Sequence, residues 1–270
     1  MRNKPELLDQ LVNAVRSGRK YSQISPDFVR GLAQKELSHR RSYKEALKAT
    51  KNKLHQVAGA YLETQPNYAQ WLERLRAAQA SAQPAQLKQV CRDLMAFHAS
   101  TRERLPILET FYAQTLAYLG PIHSLLDLAC GLNPLTLPWL PLAPQAQLLA
   151  CDIYLDQIDF INQFYAHCGL SGTAFPCDLA AGAPPQPVQL ALLLKTIPCL
   201  EQVDKSAGER LLSTIQADHI LVSFPAKSLG GRSKGMLQNY EARFRQLIAG
   251  QSWQVQRFEF STELAFLINK

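Results

Sequence analysis

Ser124-Leu125-Leu126-Asp127-Leu128-Ala129-Cys130-Gly131-Leu132-Asn133-Pro134 is the stretch that decides how this chain folds. Apolar residues surround one carboxylate, and a glycine turn closes the segment. The run reads as a buried strand that ends where the chain reverses against a ligand. Glycine lets a backbone come close and takes unusual dihedrals without steric cost. Asp127 is costly inside an apolar strand unless something satisfies it. Further on, Leu148-Leu149-Ala150-Cys151-Asp152 repeats the pattern, an apolar strand ending in an acid. That separation is the one dinucleotide-type folds use to hold a ribose hydroxyl pair.

Outward from this run, strand-like and helix-like patterns alternate. Apolar strands are predicted at 124–129, 147–152, 173–177, 188–195, 219–224, 253–260 and 264–268, and helices at 134–140, 155–168, 202–216 and 236–249. Such alternation argues for a doubly wound sheet. The last two strands are joined through Ser261-Thr262, a link short enough to make that pair antiparallel. A mainly parallel sheet ending in one antiparallel hairpin is the arrangement of Rossmann-type methyltransferases. A nicotinamide enzyme would show G-x-G-x-x-G after its first strand. Here the second and third glycines, which serve a pyrophosphate and a helix start, are missing. A cofactor without a pyrophosphate does not need them, which favours S-adenosylmethionine over NAD.

The part preceding the sheet reads as helices. Leu7, Leu8, Leu11, Val12 and Val15 fall at helical spacing, Ser25-Pro26-Asp27 starts a second helix, a third spans about 42–60, and another covers 87–97. Residues 98–120 bridge to the sheet. Of the net charge of +7 over 270 residues, positions 1–106 carry +10 (19 Lys and Arg against 9 acids) and positions 107–270 carry −3. The basic excess suggests a polyanion-binding appendage, against the plainer reading of a solvated helical surface. Lys44, Lys48 and Lys51 share one helix face beside Arg40 and Arg41, a stripe suited to a phosphate backbone. No apolar run reaches the roughly 20 residues that span a bilayer, and the N-terminus lacks the apolar core of a signal peptide. The six cysteines form no CxxC pair, so buried thiols in a reducing cytoplasm are expected, with no metal site.

Asp152 is the candidate ribose ligand. Asp178, ending the third strand, could accept from an adenine amino group. Each acid alone could instead be a helix cap or a solvated strand end. Lys195 follows Leu190-Ala191-Leu192-Leu193-Leu194 and points into the crevice, or else snorkels at a strand end. The segment 223–236 sets glycines among Lys227, Arg232 and Lys234, a loop able to wrap phosphates or simply a flexible connection.

His98-Ala99-Ser100-Thr101-Arg102-Glu103-Arg104-Leu105, Leu128 to Pro134, Ser223-Phe224-Pro225 with Ser228 to Met236, Asn239-Tyr240 and Thr262-Glu263-Leu264 together resemble the aminoglycoside-resistance 16S rRNA (guanine-N7) methyltransferases. The resemblance covers nearly the whole chain and is loosest over 62–90. It implies an α/β fold, a Rossmann-like class I S-adenosylmethionine-dependent methyltransferase (98–270) with a seven-stranded, mainly parallel sheet, plus an N-terminal basic helical rRNA-binding domain (1–97). It implies methyl transfer to a decoding-site guanine N7 in the assembled 30S subunit, in the cytoplasm, and resistance to kanamycin- and gentamicin-type drugs. Carried over, Arg104 with Thr101 would grip the methionine carboxylate. His98, Ala129, Gly131, Asp152, Ile153, Asp178 and Leu179 would line the cofactor, and Asn133, Lys195, Arg232 and Glu263 would surround the target base. Lys20, Arg40, Arg41, Lys44, Lys48, Arg232 and Lys234 would meet rRNA phosphates. Methylation of adenine N1, a non-catalytic rRNA-binding assembly factor and a small-molecule methyltransferase are the competing expectations.

Overall fold

The structure, a computed structural model, describes residues 4–59, 66–226 and 235–270. Helices α1 (Lys4–Arg16), α2 (Pro26–His39) and α3 (Tyr43–Leu54) come first. Ser42 caps α3 by accepting from the Glu45 N–H at 3.2 Å. The expected helix over 42–60 widens at its end: α3 runs directly into a π-helical turn, His55–Gly59. Leu11, Val15, Val29, Leu32 and Leu54 bring α1–α3 together in an apolar cluster.

Next come α4 (Tyr68–Ala80) and α5 (Pro84–Met95). α4 has weak sequence signals. It is started by Asn67, whose side chain accepts from the Gln70 N–H at 3.2 Å, and is held by its tertiary contacts. α6 (Ala99–Arg104) and α7 (Leu108–Thr115) flank a 3₁₀ turn, Leu105–Ile107. The α/β body contains β1 (Ile122–Leu128), β2 (Leu142–Asp152), α8 (Leu155–His167), β3 (Gly172–Pro176), β4 (Val188–Leu194), α9 (Ile197–Val203), α10 (Ala207–Thr214), β5 (Ala217–Pro225), α11 (Met236–Leu247), β6 (Gln254–Glu259) and β7 (Glu263–Asn269).

The strands form one seven-stranded sheet in the order β3-β2-β1-β4-β5-β7-β6. β1 to β5 are mutually parallel, and β7 runs antiparallel to both β5 and β6, as the short Ser261-Thr262 link requires. The strand order reverses between β1 and β4, so a crevice opens at their carboxyl ends. β4 is covered on both faces, which explains its unbroken apolar run. Leu190, Leu192 and Leu194 enter one core cluster, and Ala191 and Leu193 the other.

Three expected elements differ. Segment 134–140 is a 3₁₀ helix (Asn133–Trp139) carrying Pro134 and Pro138, because prolines deprive an α-helix of its donors. The helix expected at 202–216 is two helices: α9 starts at Ile197 and stops at Asp204, whose backbone is extended and whose carboxylate accepts from the Ser206 N–H at 3.0 Å. β2 begins at Leu142, five residues before the 147 expected, and passes through Gln145 at φ 60°.

The expected domain boundary at 97/98 falls within continuous packing. Trp71, Leu72, Leu75, Cys91, Leu94 and Met95 of α4 and α5 belong to the same cluster as Leu125, Leu148, Phe160 and Leu190 of the α/β body. Trp71 meets Phe160 edge-on at 5.7 Å. Replacing Trp71 by alanine should lower the stability of the α/β body by about 3–5 kcal/mol in a single urea transition followed by circular dichroism. An early partial transition with the main one unmoved would show that α4 stands outside the sheet's cooperative unit.

Candidate active site

At the carboxyl ends of the central strands lies a cleft walled by apolar side chains. Asp152, the last residue of β2, is its polar anchor. Its Oδ2 accepts the Gly131 N–H at 2.9 Å and its Oδ1 the Ile153 N–H at 2.6 Å. Burial pushes its pKa up, and these N–H groups counter the rise. The turn after β1 is held by the Cys130 N–H on the Cys151 carbonyl, 2.9 Å. Ala129 and Gly131 both have positive φ, 49° and 51°. Strain of this kind at Ala129 is typical of ligand clamps. A Cβ at position 131 would lie 2.9 Å from the His98 ring, so the turn admits only glycine while His98 lines the cleft. Burial, then Lys195, Arg104 and Arg102, push the His98 pKa down to about 4, so the ring is neutral at physiological pH.

These residues fit an adenosyl group. Phe28, Ile153, Leu179, Leu200 and Val203 supply apolar wall, and Asp152 supplies a carboxylate for vicinal hydroxyls. Gln157, 1% exposed, lines the same cleft, its side chain beside the Asp152 carboxylate. Asp178 stands elsewhere. It accepts the Ala180 N–H at 2.9 Å and borders an adjoining groove with Gly31 and Lys35 of α2, while its neighbour Leu179 faces the main cleft.

Behind the cleft is a buried polar network. Arg104, 1% exposed, donates from Nε to Glu263 Oε1 at 2.8 Å, from Nη2 to Glu263 Oε2 at 3.1 Å and from Nη1 to Asn133 Oδ1 at 2.7 Å. Asn133 donates in turn to Asp127 Oδ2 at 2.8 Å, which is how the acid of β1 is satisfied. Tyr112 donates to Asn133 at 2.9 Å, and Ser223 donates to Glu263 at 2.8 Å. Lys195, held at φ 58° at the end of β4, donates to the Ser100 carbonyl at 3.0 Å and to Glu103 at 2.8 Å, and pairs with Glu263 at 3.2 Å. Burial alone would raise the Glu263 pKa, but Arg104 and Lys195 outweigh it and hold the group below its ordinary value.

The structure thus brings Asn133, Lys195, Glu263 and Arg104 together, with only Lys195 of the four on the cleft wall. All three guanidinium nitrogens of Arg104 are engaged within the protein. Thr101 faces inward and donates to the Met95 carbonyl at 2.6 Å. Tyr112 and Gln157 escaped sequence reasoning, while Glu103 and Ser223 stood inside the motifs that carry the resemblance but were given no role of their own. Among the predicted phosphate contacts, Lys44 and Lys48 are exposed on α3. Arg40 pairs with the buried Glu36 at 2.8 Å, and Lys20 meets the His55 ring at 3.0 Å. Arg232 and Lys234 lie outside the described residues. Among the described residues no group of side chains could hold a metal ion, and no helix is long and apolar enough to cross a membrane.

Burial raises the Asp127 pKa to about 7, although Asn133 and Arg104 pull it down. In the unfolded chain the same group deprotonates near about pH 4. Between these values the folded state holds the extra proton. The stability this contributes is full below about pH 4 and is lost as pH rises through 7, at up to about 1.4 kcal/mol per pH unit. Asp127→Asn should flatten that slope in urea unfolding measured across this range. Equal slopes for the two proteins would refute the assignment.

The chain is similar to known proteins along nearly its whole length. The family model described as "Ribosomal RNA methyltransferase (FmrO)" matches residues 16–267. A 16S rRNA (guanine(1405)-N(7))-methyltransferase of Micromonospora echinospora is 37% identical over 97% of both chains. One of Serratia marcescens is 32% identical over 97% of this chain and 98% of its own. The crystal structure of the 16S rRNA methyltransferase RmtF in complex with S-adenosyl-L-homocysteine superposes with a TM-score of 0.82, at 29% identity and full coverage of both chains. That of the 16S rRNA methylase RmtB gives 0.79 at 27% identity, covering 97% of this chain and 98% of that one. With a family model matching all but the ends of the chain, and relatives above 30% identity along nearly its whole length, this protein belongs to the FmrO family of ribosomal RNA methyltransferases.

Proposed function

We propose that the protein transfers a methyl group from S-adenosylmethionine to N7 of a guanine of 16S rRNA, within the assembled 30S subunit in the cytoplasm. The observation that carries this reading is the Asp152 carboxylate, fixed by the Gly131 and Ile153 N–H groups at the mouth of an apolar cleft. The near-full-length similarity to guanine-N7 methyltransferases supports the choice of base. A methyl group on N7 adds bulk and positive charge, which is the basis for the proposed resistance to kanamycin- and gentamicin-type aminoglycosides.

When bound, S-adenosylmethionine supplies an electrophilic methyl group. Guanine N7 has a free lone pair, so no side chain has to remove a proton before attack. The residues therefore work by position and charge. Asp152 holds the ribose, Ala129, Gly131, Ile153 and Leu179 line the adenosyl group, and Asp178 supports the adenine end from the adjoining groove. His98 stays neutral and packs against the Gly131 turn. Lys195 is a fixed cation on the cleft wall. Glu263, Arg104 and Asn133 hold that wall in place, with Thr101 bracing α6 behind them, and Arg232 joins Lys195 at the target base. The base itself is swung out of its helix to reach the cleft.

We assign rRNA binding to the N-terminal part, 1–97, and methyl transfer to 98–270, with α4 and α5 anchoring the first to the second. Lys20, Arg40, Arg41, Lys44, Lys48 and, from the loop beyond β5, Arg232 and Lys234 make the phosphate contacts. Binding to small subunits should therefore weaken steeply with salt.

Reaction of purified protein with methyl-labelled cofactor and isolated small subunits, followed by mapping of the modified nucleotide, tests the proposal. A label on adenine N1, or none, would sink it. Asp152→Ala should weaken binding of S-adenosylhomocysteine at least about tenfold, the loss of a charged hydrogen bond, and leave cofactor-free binding to subunits intact. The double variant Arg40→Glu, Arg41→Glu should do the reverse. If both variants lost only cofactor binding, the division of labour would be wrong.

A further inference from the structure

We infer that the N-terminal helices form part of the cofactor pocket, so that cofactor and rRNA bind cooperatively through α3 and the π-turn that continues it. This rests on the reading of the cleft as the adenosyl site and of α1–α3 as rRNA-binding.

Two residues of the N-terminal helices stand in the wall of the cleft. Phe28 of α2 and Val57 of the π-turn line it together with Ile153, Leu179, Leu200 and Val203. Phe28 is only 6% exposed, packed between its own helical cluster and the cleft. Neither side chain carries a polar group. What they offer a ligand is apolar surface, the chemistry that suits the faces of a purine ring.

A main-chain link stands beside this wall. Ile24 and Tyr154 form an isolated antiparallel bridge. The Ser25 N–H donates to the Ile153 carbonyl at 2.7 Å, and the Leu155 N–H donates to the Gln23 carbonyl at 2.8 Å. Ile153 directly follows Asp152, and its own N–H is held by the Asp152 carboxylate. One residue is thus gripped by the ribose-binding acid on one side and by the N-terminal helices on the other.

α3 supplies the connection to RNA. Lys44 and Lys48 lie exposed along it, and the same helix continues into the π-turn that carries Val57. That turn packs on α9, the helix that follows Lys195 and supplies Leu200 and Val203 to the cleft. Single π-turns within helices recur at functional sites. A ligand that contacts the π-turn restrains α3, and phosphates that restrain α3 fix the π-turn. The coupling must be reciprocal: the factor by which cofactor tightens RNA binding equals the factor by which RNA tightens cofactor binding.

The test uses the full chain, S-adenosylhomocysteine in calorimetric titration, and small subunits in filter binding with and without that ligand. In the wild type the ligand should tighten subunit binding. It should also slow amide exchange in peptides covering 23–57. Phe28→Ala and Val57→Ala should each weaken ligand binding about tenfold, the loss expected for roughly 50 Å² of apolar contact. Both should abolish the ligand-dependent gain in subunit affinity and leave ligand-free subunit affinity unchanged. Phe28→Leu, which keeps the helical cluster filled, replaces the alanine variant if that one does not fold. Asp152→Ala is the control. If it binds ligand normally, the reading of the cleft itself fails. If it loses binding while both wall variants behave as wild type, and subunit affinity and amide exchange ignore the ligand, the inference is overturned and the cofactor site stands.

Discussion

The two-pronged ion pair between Arg104 and Glu263, at 2.8 and 3.1 Å, is the contact from which the rest of the site hangs. It joins a short helix ahead of the sheet to the first residue of the last strand, 159 positions later. Both partners are essentially buried, at 1% and 0% exposure. Two charges taken out of water are costly to desolvate, and removing one partner typically costs about 3–5 kcal/mol because the other is left uncompensated. The pair is tolerable here because its remaining valences are filled. Asn133, Ser223 and Lys195 each take one, and Phe111 covers the guanidinium at 5.0 Å from ring centroid to Cζ. In a half-satisfied state such a network would be worse than an apolar core.

The network gives the cleft a rigid back wall. Lys195 sits at a positive φ that a side chain adopts at some cost, and three oxygen acceptors hold its ammonium. It presents a charge at one place rather than sweeping through the crevice. The opposite requirement rules the turn at 129–131, where the backbone itself comes close to the cleft and to the Asp152 carboxylate. Its glycine is dictated by the His98 ring, 2.9 Å from where a Cβ would be and so well inside van der Waals contact. Charge placement and backbone approach are thus handled by separate pieces of chain, joined through α6, which carries His98 at its N-terminal edge and Arg104 at its end.

Much of this was readable in the linear chain. Strand alternation, the short link before β7 and the glycine turn follow from local periodicity and turn chemistry, and all appear as expected. Asp152 was legible as the acid that closes an apolar strand at the expected separation from the glycine turn, which its carboxylate then meets in the structure. α4 was not, since its Gln- and Ala-rich surface hides the Trp71 stripe that only the sheet explains. The two prolines of 133–139 signalled a break in regular helix that simple apolar periodicity overrode. Arg104 and Thr101 were carried over from the resemblance as cofactor residues; in the structure their hydrogen bonds run to Glu263, Asn133 and Met95. No spacing in a sequence tells whether an arginine between polar neighbours turns inward or outward.

By itself the sequence determined the α/β class, a ligand crevice at the strand ends, the turn that dispenses with the dinucleotide glycines and the basic character of the N-terminal helices. These depend on local pattern, on short-range turn geometry and on summed charge, which are all properties of neighbouring residues. Only the tertiary structure decided which polar residues are buried partners and which line the cleft, that α4 and α5 complete the sheet's core, and that Phe28 and Val57 line the same cleft as Asp152. Each of these depends on contacts between residues far apart in the chain. Desolvation and hydrogen-bond geometry set their meaning, and neither exists until the chain has closed around them.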